Sequence, residues 1–325
     1  MELVCPAGTP SALRTAVDAG ADAVYCGFRD ETNARNFPGL NFTAQELVQG
    51  VAYAHDRGTK VLVAINTFAR AGGTKLWHRA VAQAVESGAD AVILADLGLL
   101  GWASRAYPAQ RLHLSVQAAA STPSAIRFYA ERYGVKRVVL PRVLTVEEIA
   151  AIVSAITCET EVFAFGGLCV MTEGRCLLSS YATGESPNMN GVCSPAAHVD
   201  YRQEGTALAA RLGGFTIDRY PAGQPAAYPT LCKGTFKVDG KAAHIFEEPT
   251  SLNALAILPQ LKAAGVSALK IEGRQRGKAY LAAVVRQFRT ALDALDAGQA
   301  MPASALIALT EGGRETTGSY KKTWR

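Results

Sequence analysis

The chain has 325 residues, of which 49% are apolar, and a formal net charge of +5. This length exceeds a typical single domain but suits a barrel of about 250 residues with an insertion, and the apolar content is ample for a buried core. The positive charge is mild and lacks a dense Lys/Arg block, so we expect a small acidic ligand or an acidic partner protein and no nucleic acid.

No run of 18 uncharged apolar residues occurs, so the sequence predicts no membrane span. The first five residues look like a strand, with no basic or apolar leader before them, and we therefore expect a cytoplasmic protein. Seven cysteines in such a chain are interpreted as core residues and metal ligands rather than as disulfides.

One unit recurs along the chain, in which a helix ends at a glycine and a short strand rich in Val, Ile or Leu follows. Residues 20–25 and 88–93 share this pattern closely, and residues 134–139 and 265–271 share it more loosely. Glycine suits the left-handed position after a helix, and a continuous apolar run is typical of a parallel strand covered on both faces. The alternation predicts βαβ units.

Eight strands are predicted in this way. They begin near Glu2, Asp22, Lys60, Asp90, Arg111, Lys136, Glu161 and Ala268. Eight strands close a barrel, so the predicted fold class is α/β, a TIM-like (β/α)8 barrel, with an open doubly wound sheet as the alternative.

The predicted organisation has four parts. Residues 1–167 hold barrel strands one to seven, residues 168–250 a long cysteine-bearing insertion, residues 251–300 the barrel closure with strand eight and the last helix, and residues 301–325 a polar tail. The insertion is rich in Gly, Pro, Ser and Tyr and has weak periodicity. A structureless loop of that length is uncommon, so we expect something else, such as a bound metal, to hold it together.

The insertion carries four cysteines with the spacing Cys169-x6-Cys176-x16-Cys193-x38-Cys232. Thiolates are soft ligands that suit iron–sulfur clusters or zinc. Zinc sites usually pair their cysteines closely, and no such pair occurs here, so spacing favours a cluster while leaving zinc open. Buried cysteines without a ligand role are the third possibility, and they are the preferred interpretation of three others, Cys5, Cys26 and Cys158.

The surroundings of the four cysteines also suit an anionic cluster. Glycines lie nearby and let the backbone approach closely, while two cations, Arg175 and Lys233, each adjoin a cysteine. The glycines are Gly166, Gly167 and Gly174.

Polar residues stand at or beyond the ends of the predicted strands, and the carboxyl ends of barrel strands form the active-site face. They could line one mouth, or could merely satisfy the backbone and one another. The set comprises Asn66, Asp96, His113, Ser115, Gln117, Arg142, Glu272 and Arg274, with Arg35 in the loop after strand two. The remaining histidines have no ligand-like spacing and are interpreted as structural. These are His55, His78, His198 and His244.

Several enzyme classes lack their signatures in this chain. There is no His-Glu-x-x-His zinc motif and no Gly-x-Ser-x-Gly elbow, so peptidase activity is not expected. No Walker A loop or Gly-x-Gly-x-x-Gly fingerprint supports a nucleotide cofactor.

Longer motifs extend from the first residues to beyond the eighth strand. They are Leu3-x-Cys5-Pro6-Ala7-Gly8, Asn33-Ala34-Arg35-Asn36-Phe37, Cys169-x6-Cys176-x-Leu178-Ser179-Ser180-Tyr181, Thr230-Leu231-Cys232-Lys233-Gly234 and Lys270-Ile271-Glu272-Gly273-Arg274. On these motifs the chain resembles the collagenase-like unassigned peptidase family, number thirty-two. The resemblance implies a [4Fe-4S] cluster held by Cys169, Cys176, Cys193 and Cys232.

Residues 184–188 and 247–253 resemble the branch of that family that serves oxygen-independent ubiquinone biosynthesis. The resemblance implies a hydroxylase subunit that forms a heterodimer with a homologous, UbiV-like subunit. Its substrate would be an aromatic ubiquinone precursor, with a lipid-carrier protein as one means of delivery, and its oxygen donor a compound such as prephenate. In that reaction Arg274 would bind the carboxylate of the donor, and Glu272 or His113 would move the proton.

Two alternatives remain open from the sequence. The chain could be an RNA-base hydroxylase, because relatives in the same family modify ribosomal or transfer RNA. It could also be a non-catalytic subunit that delivers electrons to a partner.

Overall fold

The structure, a computed structural model, describes residues 1–169, 176–190 and 192–321. Its strands in chain order are β1 (Glu2–Pro6), β2 (Ala23–Cys26), β3 (Lys60–Ile65), β4 (Ala91–Leu94), β5 (Arg111–Leu114), β6 (Arg137–Val139), β7 (Glu159–Gly167), β8 (Val199–Glu204), β9 (Ala207–Leu212), β10 (Phe215–Tyr220), β11 (Phe236–Val238), β12 (Lys241–Ala243), β13 (Ser251–Asn253), β14 (Ala268–Ile271) and β15 (Glu315–Thr316).

Strands β1 to β7 and β14 form a closed parallel barrel. Each of the first seven pairs with the next, and β14 closes the ring because it pairs in parallel with both β7 and β1. The predicted TIM-like (β/α)8 barrel is confirmed, and the open sheet is excluded by this closure.

The helices in chain order are α1 (Pro10–Asp18), α2 (Ala44–His55), α3 (Lys75–Glu86), α4 (Leu97–Ala106), α5 (Pro123–Tyr133), α6 (Val146–Ala155), α7 (Leu178–Thr183), α8 (Pro187–Asn190), α9 (Leu258–Ala263) and α10 (Lys278–Asp296). Two of them begin with a capping box, in which Thr43 pairs with Glu46 in α2 and Thr145 with Glu148 in α6. No helix of the described ranges is long and apolar enough to cross a membrane.

The barrel interior contains apolar side chains and a string of charged side chains that are ion-paired with one another. Lys270 is ion-paired with Glu161 at 2.6 Å, and Glu161 with Arg137 at 3.3 Å. Arg137 also contacts Glu2 at the opposite end of the barrel. Buried charges are costly unless they are paired, so this string lets ionic groups occupy the interior.

The segment between β7 and β14 contains a second, smaller architecture. Strands β8, β9 and β10 form an antiparallel sheet, β11 and β12 form a hairpin, and β13 pairs antiparallel with β7. The sheet covers a small apolar cluster of Ala182, Leu212 and Ile217. The weak periodicity of this segment in the sequence did not indicate these strands.

The C-terminal segment packs against the barrel wall. Strand β15 pairs with β13, Ser319 donates hydrogen bonds to the carbonyl oxygens of Arg142 and Leu144, and the Tyr320 hydroxyl donates to the carbonyl oxygen of Phe163. Because Arg142 and Phe163 both line the mouth of the barrel, this segment supports the wall of the site.

Candidate active site

A cavity of about 250 Å³ lies at the carboxyl ends of the barrel strands. Most of the strand-end residues that the sequence singled out line it together with the four cysteines. They are Arg35, Asn66, Ser115, Gln117, Arg142, Glu272 and Arg274, with Cys169, Cys176, Cys193 and Cys232. The structure thus brings residues from both ends of the chain to one site.

The four cysteines reach the cavity from different elements. Cys169 follows β7, Cys176 precedes α7, and Cys232 lies in a single helical turn. Burial, together with the neighbouring Cys169 and Cys193, raises the pKa of the Cys232 thiol to about 12. Packing thiols this close disfavours their thiolates unless a metal cation compensates the charge.

The four cysteines therefore suit a metal group by their chemistry, and all four line the same cavity. Among the described residues, however, no three His, Cys, Asp or Glu side chains lie close enough together to hold a metal ion. Gly174 and Arg175, which the sequence placed beside the cluster, lie outside the described residues.

Two family-like segments hold the cysteine backbone in place. The Asn188 side chain donates to the carbonyl oxygen of Cys176 at 3.2 Å, and the Glu247 backbone N–H donates to that of Cys232 at 3.2 Å. Each of these segments, residues 184–188 and 247–253, thus holds the backbone of one cysteine through a hydrogen bond.

Cations surround the cysteine side of the cavity. Lys233, next to Cys232, is ion-paired with Glu311, which also lies 3.5 Å from Arg276. Burial at the cavity wall raises the pKa of the Cys193 thiol, and the Arg35 guanidinium opposes that rise. A negatively charged cluster would be stabilised by these neighbours.

Two asparagines that the sequence did not single out as site residues, Asn33 and Asn41, organise the loop after β2 together with Asn66. Asn33 accepts hydrogen bonds from the Arg35 backbone at 2.9 Å and the Arg274 guanidinium at 3.1 Å. Asn41 donates to the Arg35 carbonyl oxygen, and Asn66 accepts from the Ala34 backbone. The Asn33-to-Phe37 motif includes Asn33, but the contacts of Asn33 with Arg274 and of Asn66 with Ala34 join residues distant in sequence and could not be foreseen.

Glu272 stands between two arginines at the cavity wall. Its carboxylate lies 2.7 Å from Arg142 and 3.6 Å from Arg35. Although burial raises it, the pKa of Glu272 is held below its ordinary value by Arg142 and Arg35. Glu272 is therefore an ionised carboxylate at neutral pH, which suits a proton acceptor or a positioning group rather than a proton donor.

Arg274 is a buried guanidinium without an ionic partner among the described residues. Only 5% of the residue is exposed, and its described hydrogen bond goes to the neutral side chain of Asn33. Burial lowers the pKa of Arg274 to about 10. Gly8 makes this position possible, since a Cβ at residue 8 would lie 1.7 Å from the Arg274 carbonyl oxygen.

His113 does not reach the mouth, so the prediction that it lines the site is wrong. It is buried inside the barrel, two residues before Ser115, and its Nε2 accepts a hydrogen bond from Arg111 Nε at 3.0 Å. The side chain points inward as expected, but it lies below the cavity rather than at its wall.

His113 should make the protein sensitive to acid. Burial and nearby Arg137 and Arg111 hold its pKa well below the ordinary value, so the folded protein keeps the imidazole neutral while the unfolded chain protonates it near pH 6.5. The free energy of unfolding should therefore fall by up to ~1.4 kcal/mol per pH unit below about pH 6.5.

Denaturant unfolding between pH 7.5 and 5.5 measures this effect. His113→Gln should flatten the slope, whereas His55→Gln, at a surface pair with Asp90, should keep it. An unchanged slope in His113→Gln would exclude this histidine as the cause.

The remaining strand-end residue, Asp96, has a structural role. Its carboxylate accepts a hydrogen bond from the Leu99 backbone at 2.8 Å and caps α4. For Asp96 the alternative interpretation, that the side chain forms hydrogen bonds with the backbone, is confirmed.

Comparison with known proteins finds a family model, curated relatives and a solved structure that match this chain. The model of peptidase family U32 matches residues 8–314. The tRNA hydroxylation protein P of Escherichia coli strain K12 is 34% identical over 330 residues, covering 95% of this chain and 71% of that protein. The 23S rRNA 5-hydroxycytidine C2501 synthase of the same organism is 29% identical and covers 91% of this chain and 40% of that protein. A solved structure, the U32 peptidase Mk0906, is 20% identical over 51% of this chain and 70% of that one, with a TM-score of 0.43.

Proposed function

The chain belongs to peptidase family U32, and from that premise we propose that it is the [4Fe-4S]-containing component of an oxygen-independent hydroxylase that acts on an RNA base. Two relatives with high coverage of this chain carry names for hydroxylation of transfer and ribosomal RNA. Those names weigh against the sequence-based expectation of no nucleic-acid partner.

The observation that carries the proposal is the guanidinium of Arg274, which has no ionic partner among the described residues and lies in the cavity that the four cysteines share. A buried cation without a counterion is costly, and an anionic ligand would remove that cost. Arginine binds carboxylates through two parallel hydrogen bonds. A carboxylate-bearing oxygen donor, such as prephenate, has the required chemistry.

Cys169, Cys176, Cys193 and Cys232 would hold the cluster, which when bound supplies one-electron redox chemistry beside the donor. The chain's own residues have separate tasks. Arg274 binds and orients the donor carboxylate, and the ionised Glu272 accepts a proton or holds Arg142 in place.

The cavity also limits what can enter. At about 250 Å³ it is smaller than most pockets for drug-sized ligands, which favours entry of one part of a large substrate, such as a single base. Enzymes that modify bases meet this condition by taking one base out of the stack.

Peptidase activity has no support in the cavity. No histidine is among the described residues that line it, so its serines Ser115 and Ser179 have no imidazole base beside them there.

A second candidate is the ubiquinone-precursor hydroxylase of the UbiU type, working with a UbiV-like partner. Its support is residues 184–188 and 247–253, together with two exposed apolar side chains beside the cysteine side of the mouth. Leu177 is 71% and Tyr181 81% exposed, which suits an apolar precursor or a partner subunit.

One experiment distinguishes the two candidate functions. A strain lacking the chain, grown without oxygen, is compared with the same strain complemented by it. Mass spectrometry of nucleosides and of quinones then measures both products. Loss of a hydroxylated nucleoside, restored by the chain, supports the RNA proposal, whereas loss of ubiquinone alone selects the second candidate.

The electron-delivery alternative needs a reconstituted assay. Activity of the isolated, cluster-loaded chain on its substrate would exclude a purely auxiliary role. Activity that appears only with a partner subunit, and survives Arg274→Ala in this chain, would place the chemistry in the partner.

A further inference from the structure

Two cations share one aromatic ring on the cavity wall. The Lys270 ammonium lies 3.8 Å from the centroid of the Tyr25 ring, and the Arg274 guanidinium carbon lies 5.6 Å from it. All three residues line the cavity and all three are buried. A ring face attracts cations within about 6 Å, and the attraction grows when the groups are desolvated.

The Tyr25 hydroxyl fixes this ring to the end of β14, the strand that carries Lys270 and precedes Arg274. It donates a hydrogen bond to the carbonyl oxygen of Ile271 at 2.9 Å. Burial raises the pKa of Tyr25, and the Glu272 carboxylate raises it further, so the phenol keeps its proton and remains a donor at neutral pH. Because Ile271 lies directly after Lys270, this bond ties the ring to the end of β14.

The two cations differ in whether an ionic partner neutralises their charge. Lys270 is paired with Glu161, which is fully buried, whereas Arg274 has no ionic partner among the described residues. Glu161 is shared between Lys270 and Arg137, and Glu272 between Arg142 and Arg35, so neither carboxylate is left to neutralise Arg274. An anion that contacts Arg274 would therefore also lie in the field of Lys270.

We propose that Tyr25 is a positioning residue that holds the Lys270 ammonium and the Arg274 guanidinium as a two-point site for one anionic ligand. This inference rests on the proposed function, since the ligand is the carboxylate-bearing oxygen donor. Lys270 is the second contact in that site, and the ring sets its separation from Arg274.

The test compares three substitutions in the cluster-loaded chain. Tyr25→Leu removes ring and hydroxyl, and Tyr25→Phe removes only the hydroxyl. Tyr53→Leu is the matched control, because the Tyr53 ring lies 3.7 Å from Arg57 and its hydroxyl donates to Asp18 outside the barrel. Calorimetric titration with prephenate as the probe gives the dissociation constant, and the hydroxylation assay gives KM and kcat for the same donor.

We expect Tyr25→Leu to weaken prephenate binding and raise its KM by roughly tenfold or more, and Tyr25→Phe to recover most of that loss because the ring remains. Tyr53→Leu should leave both values unchanged. An unchanged dissociation constant in Tyr25→Leu, with or without a lower melting temperature, would overturn the positioning role.

The outcomes also separate this inference from the proposed function. If the wild-type chain binds prephenate, Arg274→Ala weakens that binding and Tyr25→Leu does not alter it, only the role of Tyr25 fails. If the wild-type chain binds no prephenate, the carboxylate-donor proposal itself fails.

Discussion

Replacement of any one of Cys169, Cys176, Cys193 and Cys232 by alanine is expected to abolish cluster assembly. Protein purified without oxygen should contain about four iron and four sulfide per chain, and each variant should lose most of both. The physical reason is that the four thiols share one cavity and each supplies one of the ligands, so a missing thiolate leaves an iron without its donor.

Cys158→Ala is the matched control, since Cys158 packs against the apolar core rather than lining the cavity. It should keep its full iron and sulfide content and its visible absorption. Stoichiometric zinc without sulfide in the wild-type protein would show that the four cysteines bind a different metal.

The second large effect is expected for Arg274→Ala. The guanidinium is the buried cation that the cavity leaves without an ionic partner among the described residues, and a charge-assisted bond to a ligand is worth about 1.5–3 kcal/mol. Binding of a carboxylate donor should weaken by roughly 10- to 100-fold, and hydroxylation should fall at least as much. Titration with the donor and the anaerobic product assay measure these losses.

Stability distinguishes this role from a structural one. Since Arg274 has no ionic partner among the described residues, its removal should leave the melting temperature unchanged or raise it, whereas removing a paired charge should lower it. Iron content should stay at the wild-type level. Arg289→Ala serves as the control because Arg289 pairs with Asp22 and Asp293 away from the cavity, and it should leave binding and activity intact.

If Arg274→Ala retains wild-type hydroxylation with full iron content, the cavity is not the donor site. A loss of iron together with activity would instead assign Arg274 to maintenance of the cysteine cavity.

The sequence alone determined the barrel and the set of cysteines. Strands covered on both faces produce continuous apolar runs, and the glycines that end the helices punctuate them, so the eight strands could be located to within two residues. Cysteines at Cys169, Cys176, Cys193 and Cys232 stood out because soft ligands are rare in a polar segment. Their convergence on one cavity depends on how the insertion folds.

The sequence could not show the internal structure of that insertion. Strand β8 is largely exposed, β9 buries the adjacent residues Ala209 and Ala210, and β10 buries only Ile217, so these strands show no clear alternation. Its small core of Ala182, Leu212 and Ile217 forms between residues far apart in the chain, and the packing of Tyr320 against β7 is likewise a long-range contact.

How deep a side chain lies in the barrel was decided only by the tertiary structure. Alternation along a strand gives the face on which a side chain lies, and His113 and Ser115 share one face, yet two residues along a strand are about 7 Å apart. That distance places Ser115 at the cavity and His113 in the interior. Whether a buried charge has a partner is also a property of the assembled barrel, because Arg274 and Arg142 look alike in the sequence and only Arg142 meets Glu272.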